Sequence, residues 1–210
     1  MLEQALANAG RAEILELGCG PAGDALNLAA QRNFQVYGLD FSTQALAQAA
    51  AGARVLGRSL ELVRGDVRRT PFAAEKFDLV FSQGLLEHFP DPDPVWREMQ
   101  RIIKPGGYAV VDVPQTWNPY TLAKAWHACK GDWPWGWETH YTVADLRRAA
   151  RGHGFRLLAA RGYGYRGGWG DVTDLARRGL QPFFPAGWAY LEKKFGAHWM
   201  MNVAVLLQKS

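Results

Sequence analysis

Cysteine is scarce. Cys19 and Cys129 are the only two in 210 residues, too few for a disulfide framework, and they carry no metal-ligand spacing. No apolar run approaches the roughly 20 residues of a membrane-spanning helix. The opening MLEQALANAG lacks the basic start and apolar stretch of a signal peptide, so a cytoplasmic location is the expectation. There is no internal repeat and no low-complexity tract. Disorder is excluded by composition, with 48% hydrophobic and 21% charged residues. The length suits a single domain, 1–210, with room for insertions. No convincing Ser-His-Asp or Cys-His nucleophilic set is present.

What is present is unevenly spread. Residues 1–140 hold 13 Lys/Arg against 16 Asp/Glu, whereas 141–210 hold 11 against 4. Eight of the nine tryptophans lie between Trp117 and Trp199. The first part has the balance of a catalytic or cofactor domain. The second is basic and aromatic, a composition that suits contact with a substrate or partner.

Strands and helices alternate. RAEILEL (11–17), FQVYGLD (34–40), LELVRGD (60–66), KFDLVFSQ (76–83) and YAVVDVP (108–114) are short apolar runs of strand type, and helical spacing separates them. VWREMQRII (95–103) places Val95, Met99, Ile102 and Ile103 on one helix face, and Lys104-Pro-Gly-Gly107 ends it. Ser42 and Thr142 are positioned as helix N-caps, Thr142 with Asp145 three residues on. FRLLAARGYGY (155–165) and WMMNVAVLLQK (199–209) are two further strands, with His198 expected to begin the last. The expected fold class is α/β, a doubly wound, mostly parallel seven-stranded Rossmann-like sheet. Segments 115–140 and 166–198 interrupt the alternation and are expected to form a substrate cap.

On such sheets ligands bind at the carboxyl ends of the strands. The first strand ends in Gly18-x-Gly20-x-x-Gly23, and Asp40 ends the second, the spacing at which an acid meets a ribose diol. Two enzyme classes share this pattern: nicotinamide dinucleotide oxidoreductases and S-adenosylmethionine enzymes. A pyrophosphate prefers neutral or positive surroundings at the helix N-terminus. Here Glu16 precedes the first glycine and Asp24 follows the last. An amino group and a sulfonium welcome those carboxylates, so S-adenosylmethionine is favoured.

The chain resembles the class I S-adenosylmethionine-dependent methyltransferases, of the small-molecule, type 11-like kind. ELGCGPAG, VYGLDFS, LVRGDV, FDLVFSQGLLEHFPDP and RIIKPGGYAVVDVP match that family's five motifs in order over residues 13–114. The resemblance implies an antiparallel last strand and S-adenosylmethionine as cofactor, leaving S-adenosylhomocysteine (SAH). It implies that Gly18 and Gly20 pass the methionine portion, with Glu16, Ser82 and Gln83 also on the cofactor. Cys19 belongs to the same loop as a small filler. Asp40 would accept the ribose hydroxyls, Phe41 would pack on the adenine, and Asp66 and the Val67 backbone N–H would read its edge.

Methyl transfer from a sulfonium needs a base only if the acceptor must lose a proton. His88, in LLEHF after strand four, is the candidate base; ordering of the turn before Pro90 is the competing reading. His140 and Tyr141 are weaker candidates facing the acceptor. In certain quinone-pathway relatives an earlier Glu joins the Glu-His pair to hold a metal. Gly84 stands at that position, so no metal is expected. Nucleic-acid bases are not expected as acceptors, because the strand-four end reads Ser82-Gln83-Gly84-Leu85 in place of an Asn/Asp-Pro-Pro-Tyr/Phe tetrapeptide. The expected reaction is methylation of oxygen or nitrogen on a small lipophilic or aromatic acceptor. The alternatives are a non-catalytic cofactor-binding or scaffolding subunit and a dinucleotide oxidoreductase. The basic aromatic segment 166–198 suits contact with a lipid or membrane surface, and a homodimer stays open.

Overall fold

The computed structural model describes residues 5–6, 10–31, 33–131, 138–164 and 177–210. Seven strands form one sheet: β1 (Ala12–Leu17), β2 (Phe34–Asp40), β3 (Glu61–Arg64), β4 (Phe77–Gln83), β5 (Ile103–Pro114), β6 (Phe155–Tyr163) and β7 (Asn202–Lys209). The described helices packed around it are α1 (Gly23–Leu28), α2 (Thr43–Leu56), α3 (Asp93–Ile102), α4 (Pro119–Lys130), α5 (Val143–Gly152) and α6 (Pro185–Phe195). Strand order is β3-β2-β1-β4-β5-β7-β6, with β7 antiparallel to both neighbours. This is the expected doubly wound fold with its reversed strand.

Both faces of the sheet are covered, which is why its central strands carry few polar residues. On one face Leu15, Val80, Val111 and Val205 meet Trp96, Met99 and Leu146. On the other Ile14, Phe81, Val110 and Leu206 pack with Ala25 and Leu28. Local chemistry sets the helix ends. Ser42 Oγ accepts from the Ala45 N–H at 3.2 Å, and α2 stops at Gly57 in a left-handed conformation. Thr142 and Asp145 form the reciprocal capping box expected of α5.

Three boundaries differ from the sequence reading. β3 stops at Arg64, because the Gly65 N–H bonds the Asp40 carbonyl and Asp66 turns back on Arg69. β5 begins at Ile103 and runs through Lys104-Pro-Gly-Gly107, with a register shift against β4. His198 lies in a 3-10 turn (Gly196–His198), and β7 begins only at Asn202, opposite Pro114. The 3-10 turn packs closely on β6: a Cβ on Gly162 would fall 2.0 Å from the Gly196 carbonyl oxygen.

Among the described residues no helix is long and apolar enough to cross a membrane.

Candidate active site

Strand order reverses between β1 and β4, so the loops leaving these two strands diverge and leave a crevice. Two hollows flank the carboxyl end of β4.

The first is about 510 Å³ and is lined by Gly18, Asp40, Phe41, Asp66, Val67 and His88, among others. Its floor is the glycine loop. Gly18 has φ +65°, and a Cβ there would lie 2.7 Å from Leu85 Cδ1, so only glycine fits without displacement. The loop is held from β2: the Gly18 and Cys19 N–H groups donate to the Leu39 carbonyl, and the Gly20 N–H donates to Asp40 Oδ2 at 2.9 Å. Asp40 Oδ1 accepts from the Ser42 N–H at 2.8 Å. Each carboxylate oxygen therefore spends one lone pair on the backbone and keeps capacity for a second donor. Phe41 is 77% exposed at the lip, and Val67 is buried beside it. Asp66 is already paired with Arg68, whose Nη2 donates to Asp66 Oδ2 at 2.7 Å, and the Arg68 guanidinium lies 5.8 Å from the Phe89 ring centroid. Those bonds hold the Asp66 carboxyl below its usual range. His88 is exposed and stands on this hollow, opposite Asp40 and Asp66.

Cys19 is a filler. Its thiol is buried and pushed up to about 12, by burial first and then by Glu16 and Asp40. It contributes volume and no nucleophile. Glu16 is buried as well, and its Oε2 accepts from the Ala25 N–H at 3.1 Å at the start of α1. Burial lifts its carboxyl to about 8, and Asp24 and Asp40 add to the effect.

The second hollow is about 380 Å³ and is lined by Asp24, Ser82, Gln83, Asp112, Arg161 and Tyr163, among others. The sequence reading put Ser82 and Gln83 on the cofactor; the structure places them on this hollow and not on the first, and the sequence reading missed Asp112 and Tyr163. Asp112 is paired in register with Gln83. The Tyr163 hydroxyl donates to Asp112 Oδ2 and accepts from Gln83 Nε2 at 3.0 Å. Burial pushes the Asp112 carboxyl up to about 7. The available signal was an acid inside the apolar run YAVVDVP, which a covered strand tolerates only with a partner.

A third polar group lies under the turn after β4. Glu87 is buried, with its carboxyl raised to about 7 by burial. Its carbonyl accepts from the Thr139 N–H at 2.8 Å. Nearby, Lys124 Nζ donates to Glu138 Oε2 at 2.6 Å and stands 3.3 Å from His140 Nε2. Burial, with the Lys124 charge, lowers the His140 imidazole. Tyr141 is buried, and its hydroxyl reaches the Leu86 carbonyl at 3.5 Å. Thr139 and Tyr141 thus fasten residues 138–141 to the turn after β4, while His140 faces Lys124, and the hollow that His88 lines includes neither His140 nor Tyr141.

Of the cap tryptophans, Trp133, Trp135, Trp137 and Trp169 lie outside the described residues. Trp117 and Trp126 are exposed, and Trp188 is buried edge-on against Trp199. None of these three lines either hollow. Among the described residues no cluster of three or more His, Cys, Asp or Glu is arranged to hold a metal.

A left-handed glycine turn, a strand-end carboxylate with spare acceptor capacity and a hollow beside both fit an adenosyl cofactor. Residues 15–111 match the family model described as a methyltransferase domain. Over this stretch, a little under half of the chain, the sequence is similar to the S-adenosylmethionine-dependent methyltransferases. It is 27% identical over 201 residues to sterol 24-C-methyltransferase of Saccharomyces cerevisiae, covering 87% of this chain and 51% of that protein. It is 36% identical over 102 residues to demethylmenaquinone methyltransferase of Bacillus velezensis, covering 47% and 44% respectively. The chain thus spans about half the length of these curated relatives. Among solved structures, magnesium protoporphyrin IX methyltransferase of Synechocystis PCC 6803 with bound SAH superposes with a TM-score of 0.69, at 15% identity over 100% of this chain and 78% of that one. The [4+2]-cyclase SpnF superposes equally well, at 0.69 and 24% identity over 99% and 78%. These two likenesses establish the fold alone.

Proposed function

We propose that this protein transfers a methyl group from S-adenosylmethionine to an oxygen or nitrogen of a small lipophilic or aromatic acceptor. The observation that carries the cofactor half of this reading is the Gly18–Gly20 turn locked to Asp40, with one free acceptor site left on each Asp40 oxygen. Asp40 would take the ribose hydroxyls, with Phe41 and Val67 against the base and Asp66 sharing its carboxylate between Arg68 and the base edge. Glu16, Asp24, Ser82 and Gln83 would face the methionine portion. When bound, S-adenosylmethionine supplies an activated methyl group, so the chain need only position the acceptor, exclude water and remove a proton where the acceptor carries one. Asp112, buried with Tyr163, is better placed for the last task than the exposed His88.

The acceptor class draws support from the apolar wall of the second hollow, Phe81 and Val110, and from the tryptophan-rich segments 115–140 and 166–198, read as its cap. The named relatives act on a sterol carbon, on demethylmenaquinone and, for norajmaline N-methyltransferase of Rauvolfia serpentina, on nitrogen. Titration calorimetry with S-adenosylmethionine and SAH, then methyl transfer from labelled cofactor to phenols, amines and sterols, tests the reading. No cofactor binding refutes it, and labelling of sterol alone moves the acceptor to carbon.

A surface reading accompanies it. Phe183, Tyr190 and Phe195 are exposed on and before α6 beside Lys193 and Lys194, the mixture that seats a helix on an anionic bilayer. Co-sedimentation with phosphatidylglycerol vesicles, absent with phosphatidylcholine vesicles, is the expected outcome.

A further inference from the structure

Exposed aromatic side chains gather beyond the carboxyl edge of the sheet. Trp117, just past β5, is 71% exposed, and Trp126 on α4 is 62% exposed. Phe183, Phe184, Tyr190 and Phe195 are exposed on and before α6. Hydrogen bonds hold both elements at that edge. Lys124 of α4 is bonded to Glu138, whose neighbour Thr139 is bonded to the turn after β4. The turn that follows α6 is bonded through the Ala197 carbonyl to Gln115, the first residue past β5. Neither Trp117 nor Trp126 lines a hollow, so enclosing an acceptor does not account for them.

Charge points to what does. α4 carries no Asp or Glu, and Lys130 Nζ at its end lies 4.6 Å from the Trp126 ring centroid. α6 repeats the arrangement, with Lys194 Nζ 5.3 Å from the Tyr190 ring centroid. The only acid of α6, Glu192, is bonded to the indole N–H of the buried Trp188. Aromatic rings with lysines beside them, and no exposed carboxylate between, match the headgroup layer of an anionic bilayer: rings enter the acyl boundary while the ammonium groups stay at the phosphates. A fluid bilayer also accepts rings spread over two helices and a connecting segment without a matched partner surface.

We propose that α4 and α6 seat together on an anionic bilayer, with Trp117 and Trp126 inserting as well as Phe183 and Tyr190, so that the carboxyl edge of the sheet faces the membrane. The inference rests on the surface reading of α6 above and extends it to a second element and an orientation. It leaves one exposed apolar pair pointing away. α2 starts beside Asp40 at the carboxyl edge and ends before β3 begins, so Val55 and Leu56 in its last turn lie at the opposite edge.

The test uses the full chain and vesicles of phosphatidylglycerol and phosphatidylcholine in equal parts. Hydrogen exchange of the wild type should slow over 117–130 and 180–195 when vesicles are added, and stay unchanged over 43–56. Trp117→Ser combined with Trp126→Ser should lower vesicle affinity by roughly tenfold, as loss of two partly inserted rings would. Val55→Ser combined with Leu56→Ser should leave it within twofold. Melting temperatures show whether each variant is folded, and the exchange pattern of the wild type decides the matter if the tryptophan variant is not. Protection of 180–195 alone, or normal vesicle binding by a folded tryptophan variant, overturns the inference and leaves the α6 reading standing. Equal protection of 43–56 overturns the orientation. No vesicle binding by the wild type refutes the α6 reading and this inference with it.

Discussion

The two hollows beside β4 are built differently. In the first, the polar groups are partnered within the loop or across the adjacent β1 and β2 ends, as in the Gly20 N–H that donates to Asp40 twenty residues on. Asp40 bonds the Ser42 N–H two residues on, and Asp66 bonds Arg68 across the same spacing. In the second, the partners are far apart: Tyr163 and Asp112 are separated by 51 residues, and Tyr163 and Gln83 by 80. The first hollow is shaped by loops of adjacent strands bonded to one another. The second exists only after the sheet has assembled, and it keeps buried polar atoms unpaired. A cofactor common to many enzymes suits the first kind of site, and a selective acceptor suits the second.

The largest expected effect tests how solidly the second region is assembled. Lys124→Met would leave the largely covered Glu138 without its cation, which costs up to about 3–5 kcal/mol when one partner of a buried pair is removed. Denaturant unfolding measures this. A loss under about 1 kcal/mol would mean that the region around residue 138 is open to water and that the contrast is overstated.

Next comes the cofactor side. Asp40→Ala removes charged hydrogen bonds worth roughly 1.5–3 kcal/mol each. S-adenosylmethionine affinity should fall at least tenfold, while Asp40→Asn, which keeps an acceptor oxygen for the Gly20 N–H, should fall less. Equal losses in both would mean that the charge alone matters and that the loop does not depend on the bond.

Smaller effects follow from pH. Glu16, Glu87 and Asp112 have carboxyls raised by burial to about 8, 7 and 7. A raised acid binds its proton more tightly folded than unfolded, so its stabilising effect is complete below the unfolded value and is lost as pH rises through the folded one. The melting temperature should therefore drop by several degrees between pH 5 and 8, and Glu16→Gln should flatten part of that slope. A flat profile would place these carboxyls in contact with solvent.

The smallest effect belongs to the exposed pair. Arg68→Ala should leave the melting temperature unchanged and tighten cofactor binding slightly, because Asp66 is then free for the base edge. Weaker binding would instead give Arg68 a direct role at the first hollow.

The glycine loop, its acid and the alternating strands were legible in the sequence because each carries a local pattern of residue types at fixed spacing. The left-handed backbone at Gly18 favours glycine, and Ser42 and Thr142 cap helices through bonds three residues long. The antiparallel last strand was legible only through family resemblance, since apolar patterning carries no direction. The tertiary structure alone decided that Asp112 and Tyr163 share a hydrogen bond, that Lys124 and Glu138 are buried together, and that His88 faces the first hollow. It also decided where β7 starts, at Asn202 opposite Tyr163 of β6. The physical reason is common to all four. Burial and long-range pairing are properties of the assembled sheet, and a side chain's chemistry changes with them while its place in the sequence does not.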